Sequence, residues 1–409
     1  MKITFLAISL LILSIHVYSS DTTSVLFIGN SITYTNNVPM LFEKICKSKG
    51  KQVTQYMHAV GGATLANHLN NPQVHNLFMQ GNWDYIILQA STNEAIGWQV
   101  PINQTINYCK QLTDSAYKYN PCAQVILFEN PTAYHSASTA DSVNYFIEQA
   151  AIKANITAMA DSVKLPLAPI GEGYKLSRLT DYSLFLWNAY ADIHPNMKGS
   201  YLDACILYSS IFQSSVMGAT TYTLSPTTAN YLQTIADSIV LNFLPNWRIN
   251  TWNHTTNFSY TTNIDSVSFV NLSTNIDSLV WDFGDGNFSK TKNPIHKYSS
   301  KNAYYITLIS YQHGCSQTHK DTVIISSSSG IHEQTSTICK LYPNPASKQL
   351  SIENTYNINK IEIYDITGKT MKVVNKKTKI INIAELPTGI YFIKLIADDR
   401  IIIKKFIKN

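Results

Sequence analysis

Apolar residues recur in two alternating rhythms along the first 245 positions. Short unbroken runs at 24–29, 52–58, 84–89, 124–130 and 165–170 read as buried strands. Longer stretches with apolar residues three and four apart, at 38–48, 102–118, 139–163, 196–213 and 227–243, read as helices. Strands alternating with helices predict right-handed crossovers and an α/β fold, with a parallel sheet covered on both faces. Ligands of such sheets bind beyond the carboxyl ends of the strands. The first strand runs "VLFIGNSIT", so Ser31 is expected at that rim.

From 256 to 325 the rhythm changes to period two, with turn residues and no helical pattern. "LVWDFGDGNF" reads as a strand ending in Trp281, a Gly284-Asp285-Gly286 turn and a return strand, with Trp281 as core filler and Asp285 as turn former. "WDFGDG" and the later "NPIHKY" resemble a PKD-type domain, which implies an immunoglobulin-like β-sandwich acting as a spacer or binding module. A polar segment, 326–337, reads as a flexible linker. After it, strands are punctuated by Pro-Asn-Pro, Thr-Gly and Pro-Thr-Gly turns. Their order resembles the C-terminal sorting domain of the Bacteroidetes type IX secretion system, over 338–409. That resemblance implies a second small β-sandwich, partnership with the secretion machinery and passage across the outer membrane.

The first twenty residues have Lys2, an apolar run to Ile15 and small residues at Ser19 and Ser20, as a secretory signal peptide does. No other stretch reaches eighteen consecutive apolar residues, so no transmembrane segment is expected. The product is expected to be secreted or held at the cell surface. Net charge is +5, and residues 340–409 hold twelve Lys and one Arg against six acids, a net of +7. The body before them has no basic field, which argues against nucleic acid as a partner. Six cysteines at 46, 109, 122, 205, 315 and 339 form no C-x-x-C pair, which disfavours a zinc ribbon. The four in 21–248 allow three pairings, and Cys315 and Cys339 are expected to be single buried thiols.

A serine between strand and helix is most simply an N-cap. Another reading comes from "NAYADIHPNMKGSYLDACILY", where Asp192 and His194 sit two apart just before a helical pattern. A histidine held in a loop beside a carboxylate suits a general base and its orienter. "AVGGATL" places Gly61 and Gly62 after the second strand, and "DYIILQASTNEA" places Gln89, Ser91 and Asn93 at the third. Glycine N–H groups and a side-chain amide can stabilise an oxyanion. Taken together, 21–248 resembles an SGNH/GDSL-type serine hydrolase, with Ser31, Gly62, Asn93 and His194 matching its blocks.

The resemblance implies a flavodoxin-like α/β/α fold. It also implies a Ser31–His194–Asp192 ester hydrolase whose oxyanion hole is Ser31, Gly62 and Asn93, with Gln89 as the alternative donor. No metal or organic cofactor is required. Asn30 replaces the usual aspartate before the serine. The family's acid lies three residues before its histidine, where this chain has Ala191, so either the loop is re-spaced around Asp192 or the site is a Ser-His dyad. The expected substrate is an O-acyl, first an O-acetyl, ester on an extracellular polysaccharide, with a lipid or small ester as the other option. A non-catalytic glycan-binding protein on a decayed hydrolase fold is the alternative. Tyr34, Trp98, Tyr134, Tyr174 and Trp187 are candidates for stacking on sugar rings. His58, His68, His75 and His135 lack ligand spacing and are expected at the surface or as satisfied core residues.

Overall fold

The computed structural model describes residues 22–134, 139–326, 340–353, 358–374, 378–397 and 401–409. The expected signal peptide, most of the linker, His135 and Cys339 lie outside them. Two compact units divide the chain, one ending at Ser326 and the other lying beyond it.

The first unit begins with a five-stranded parallel sheet of β1 (Thr23–Gly29), β2 (Val53–Ala59), β3 (Tyr85–Gln89), β4 (Gln124–Phe128) and β5 (Leu167–Ala168), in the order β2-β1-β3-β4-β5. Val25 through Ile28 are buried on both faces, which is why the strand reads as an unbroken apolar run. β5 is shorter than its apolar run because Pro166 and Pro169 flank it, and Pro169 starts the next helix. The helices are α1 (Ser31–Tyr34), α2 (Val38–Ser48), α3 (Leu65–Leu69), α4 (Pro72–Gln80), α5 (Thr92–Ile96), α6 (Ile102–Tyr119), α7 (Thr139–Val163), α8 (Ile170–Thr180), α9 (Met197–Phe212) and α10 (Pro226–Val240). The five long helices anticipated from the sequence are present. Short α3 and α5 carry too few residues to show a period. In this strand order the connections reverse direction between β1 and β3, so the crevice forms beyond their carboxyl ends.

The same unit continues into a β-sandwich. A three-stranded sheet of β6 (Phe258–Thr262), β7 (Ser266–Asn271) and β10 (Ile295–Lys297) joins a four-stranded one of β8 (Ser278–Asp282), β9 (Phe288–Ser289), β11 (Ala303–Gln312) and β12 (Cys315–Ile324). Trp281 is fully buried, 5.1 Å from both Phe258 and Phe269, and its indole donates to the Thr291 carbonyl. Asp285 accepts from the Asn287 N–H inside the turn and pairs with His296 at 2.7 Å. Core and turn roles are as the sequence indicated.

Cys315 is not a single thiol. It forms a disulfide with Cys122 across 193 residues, while Cys46, Cys109 and Cys205 are free and buried. Spacing could not reveal this, because the bond joins two domains that each read as complete.

The second unit holds two antiparallel sheets. One is β13 (Lys340–Tyr342), β14 (Gln349–Glu353) and β17 (Ile380–Asn382). The other is β15 (Ile358–Asp365), β16 (Thr370–Val374), β18 (Gly389–Ala397) and β19 (Ile401–Lys408). Leu350, Ile361, Ile363, Ile393, Leu395 and Phe406 form its core. Among the described residues no helix is long and apolar enough to cross a membrane.

Candidate active site

Gly29 ends β1 because nothing larger fits. A Cβ there would lie 2.2 Å from the Thr33 hydroxyl oxygen and 2.6 Å from Gln89 Oε1. Asn30, not Ser31, caps the following helix: its Oδ1 accepts from the Ile32 N–H at 3.1 Å. Ser31 is thus the first helical residue, half-buried, and its hydroxyl has no hydrogen-bond partner among the described residues. Its N–H is one of the helix's unpaired first-turn donors. The serine is relieved of capping by its neighbour.

Gln89 holds this turn from below. It is fully buried; its Oε1 accepts from the Asn30 N–H at 2.9 Å and the Thr33 hydroxyl at 2.8 Å. Its Nε2 donates to Asn30 Oδ1 at 2.9 Å and to the Ala90 carbonyl at 2.8 Å. With both N–H bonds committed, Gln89 is not free to serve as the alternative oxyanion donor; it positions the turn instead.

The glycine turn is bolted to the same strand end. Asn30 Nδ2 donates to the Ala63 carbonyl at 3.2 Å, and the Val60 N–H and His68 Nε2 both donate to the Gly29 carbonyl, at 3.1 and 2.9 Å. Gly62 takes φ +69°, which explains the glycine, and its N–H has no acceptor among the described residues. A cavity of about 310 Å³ opens here, lined by Gly61, Gly62, Asn67 and His68 among others. Burial, then neighbouring His58, pushes His68 down to about 4 against the opposing bond to Gly29, so it is a neutral buried group, and only half satisfied: its Nδ1 has no hydrogen-bond partner among the described residues. Asn93 lies on α5, exposed and, among the described residues, without a side-chain partner. The start of α5 is fixed by a Ser91–Glu94 capping box, and buried Glu94 Oε2 also accepts from the Leu65 N–H at 3.0 Å. That bond links the third-strand tip to the glycine turn.

The histidine loop closes on itself. Trp187 bridges Pro195, and the Asn188 N–H donates to the His194 carbonyl at 3.0 Å. Asn196 caps α9, and its Nδ2 donates to the Phe185 and Trp187 carbonyls at 2.9 Å each. Within the loop His194 Nδ1 lies 2.5 Å from Asp192 Oδ1, which also accepts the His194 backbone N–H at 2.9 Å. Burial alone would raise the Asp192 carboxyl; the His194 N–H and then its ring outweigh that and hold it below the usual carboxylate range. Ala191, at the position where the resemblance places its acid, has φ +60°. This left-handed residue directly precedes Asp192, whose carboxylate meets the ring.

Asn36 joins the two halves. Its Nδ2 donates to the Pro195 carbonyl and to the Ser200 hydroxyl, both at 3.0 Å, so the turn after Ser31 touches the residue after His194. Among the described residues His194 Nε2 has no partner, and the Ser31–His194 hydrogen bond is not formed in this structure. Such bonds are commonly long before substrate arrives. Asn36 was not singled out in the sequence, although the Asn36-Asn37 pair, at φ 54° and 56°, is the kind that marks a left-handed turn.

Of the proposed stacking residues, Tyr134, Tyr174 and Trp187 are fully buried and pack on one another; they are core, not rim. Tyr34 and Trp98 are exposed, at 43% and 64%. Two tyrosines not anticipated, Tyr182 and Tyr190, are also more than half exposed, with Tyr190 beside Ala191 and 4.9 Å from Phe185.

Residues 253–325 match the family model of the PKD domain, and 340–409 match the secretion system C-terminal sorting domain. The chain carries both modules. The sorting domain implies export, to the cell surface or beyond. A search of curated proteins finds no match. Among solved structures, a DUF4886 family protein from Bacteroides uniformis is similar at 17% identity, over 54% of this chain and 95% of that one, with a TM-score of 0.46. A member of the lipolytic G-D-S-L family from Veillonella parvula is similar at 15% identity, over 47% and 99%, with a TM-score of 0.37. The PKD1 domain of the Vibrio cholerae metalloprotease PrtV is similar at 30% identity, over 18% and 98%, with a TM-score of 0.18.

Proposed function

We propose that this protein is an exported serine esterase that hydrolyses an O-acyl ester, first an O-acetyl ester on an extracellular polysaccharide. The observation that carries the reading is the 2.5 Å His194–Asp192 contact on a loop tied by Asn36 to the Ser31 turn, with the Ser31 hydroxyl unengaged.

In the proposed reaction Ser31 Oγ attacks the acyl carbon and its proton passes to His194 Nε2. The oxyanion accepts from the Ser31 and Gly62 N–H groups and, once its side chain turns inward, from Asn93. Collapse breaks the ester C–O bond, and the departing alkoxide takes the proton from His194. Water then attacks the acyl-enzyme, giving its proton to His194, which returns it to Ser31 as the carboxylic acid leaves. Asp192 keeps the Nδ1 proton in place throughout. The sorting domain sends the protein toward polymers outside the cell, and exposed Tyr34, Trp98 and Tyr190 offer surfaces for sugar rings. Leader cleavage near Ser19 or Ser20 completes the proposed route.

The unformed Ser31–His194 bond and the outward-facing Asn93 side chain favour the non-catalytic alternative, and one assay separates the two readings. The full chain is offered p-nitrophenyl acetate and a fluorophosphonate probe beside Ser31→Ala, and then a panel of acetylated glycans with acetate release measured. Labelling and turnover confined to the unmutated protein are expected. Equal behaviour of both proteins rejects the hydrolase.

A further inference from the structure

A second cavity, of about 240 Å³, lies where the PKD domain meets the α/β domain. Its position is fixed by sequence order. Cys122, Ala123 and Gln124 stand at the start of β4, and Lys164 and Pro166 just before β5. These are the amino ends of the strands, whereas Ser31 and Gly62 follow carboxyl ends. Five residues of β4 separate the two edges by about 17 Å.

The walls are held rigidly. The Cys122–Cys315 disulfide forms part of the lining. Tyr117 stacks on His313 at 4.1 Å with 3° between the planes, and Gln312 Nε2 donates to the Trp252 carbonyl at 3.3 Å. A preformed cleft loses little ordering entropy on binding.

The chemistry of the lining is one-sided. Among the described residues no Asp or Glu lines it, while Lys164 and Arg248 do. Arg248 is occupied by Asp161, at 2.5 and 2.7 Å. The nearby carboxylates are engaged too: Asp277 accepts the His313 N–H at 2.6 Å, and Asp114 pairs with Lys110 at 2.6 Å. Among the described residues, Lys164 is left as the lining cation without an ion pair. Around it, Gln124, Gln312 and Gln317 can each donate and accept, as a hydroxyl-rich ligand requires, and Trp252 supplies an apolar wall. The volume is below the 300–1,000 Å³ or so of drug-sized pockets, which suits a single ring more than a long segment.

We infer that this junction cleft binds one acidic pyranose unit of a polysaccharide, with its carboxylate or sulfate at Lys164, as an anchor separate from the Ser31 site. The PKD domain is then one wall of a binding site, not a spacer.

The test uses full-length Ser31→Ala protein, so that binding is read without turnover. Calorimetry is run with oligogalacturonate, a sulfated oligosaccharide and a neutral xylo-oligosaccharide. At least one acidic ligand is expected to bind, and to weaken with added salt. Lys164→Glu, at an exposed position, is expected to weaken that ligand at least tenfold, and Gln317→Ala severalfold. Thermal unfolding of each variant checks the fold. Binding of neither acidic ligand overturns the inference, as does equal affinity for the neutral one or indifference to Lys164→Glu. None of these readings depends on esterase activity, so this inference and the proposed reaction can fail separately.

Discussion

Replacing Asp192 tests the proposed relay at its most specific contact. Neutralising the buried acid of a serine-hydrolase triad costs about 10⁴ in kcat. Asp192 differs in two ways that bear on magnitude. Its side chain is 31% exposed, so water screens part of its effect on the ring. It also holds the loop, through the His194 N–H at 2.9 Å. A hydrogen bond to a charged group contributes about 1.5–3 kcal/mol net. Fully expressed in the transition state, that corresponds to about 10–150-fold. Some loss of ring alignment adds to this, and for Asp192→Asn we expect kcat/KM on p-nitrophenyl acetate to fall about 10²–10³-fold. His194→Ala should fall further, since it removes the base itself. The assay is steady-state turnover of the two variants beside the parent, with fluorophosphonate labelling rate as a second readout. If Asp192→Asn stays within threefold of the parent while His194→Ala collapses, the carboxylate is not part of the relay, and a dyad oriented by loop carbonyls replaces it.

Three further outcomes are expected. Gln89→Leu leaves the buried Asn30 N–H and Thr33 hydroxyl without their acceptor, at about 1–3 kcal/mol each; a lowered melting temperature with lost activity is expected, whereas lost activity at unchanged stability would return Gln89 to the oxyanion hole. Burial, then the Glu172 carboxylate, pushes Glu129 up to about 8 from 4.5. The folded chain therefore holds a proton that the unfolded chain releases, and stability falls as pH rises from about 4.5 to about 8, by a few kcal/mol at most. Glu129→Gln should flatten that slope, whatever its absolute stability, and an unchanged slope would show that other groups set it. Reducing Cys122–Cys315 opens a loop of 193 residues, worth up to about 5 kcal/mol by the chain-entropy account. Dithiothreitol should lower the melting temperature and leave p-nitrophenyl acetate turnover near its starting value, since the bond lies at the far edge of the sheet; an unchanged melting temperature would mean the bond constrains nothing.

The sheet was legible because β1, β3 and β4 are buried on both faces and so appear as uninterrupted apolar runs. The placement of Ser31, Gly62 and His194 on the fold was legible because each sits in a short local context, a strand end or a helix start, that sequence displays. What stayed hidden depends on contacts between distant residues. Nothing local shows that Gln89 spends both its donors on Asn30 and Ala90. Nor does a tyrosine's own neighbourhood reveal that Tyr134 is buried while Tyr190, 6.1 Å away, is half exposed. Cys122 and Cys315 could not be paired because each lies in a segment whose sequence pattern reads as a module of its own, although the two form one compact unit. The Ser91-x-x-Glu94 capping box was readable in advance, but its second bond, to Leu65, was not.

The backbone at Ala191 gives a physical account of why Asp192 lies one residue closer to His194 than the resemblance implies. A left-handed alanine costs about 1–2 kcal/mol. Such a conformation persists only where surroundings over-determine it. Here the Ala191 N–H donates to the Tyr134 carbonyl at 3.0 Å, Trp187 bridges Pro195, and Asn196 pins the base of the loop twice. A right-handed Ala191 would break the Tyr134 bond or swing Asp192 from the ring. The strain is therefore localised at the one residue whose reversal would undo the His194 contact, and the buried aromatic cluster beneath it sustains that strain. Tyr134, Tyr174 and Trp187, which looked like a sugar platform, act from inside the core to hold the shape of the histidine loop.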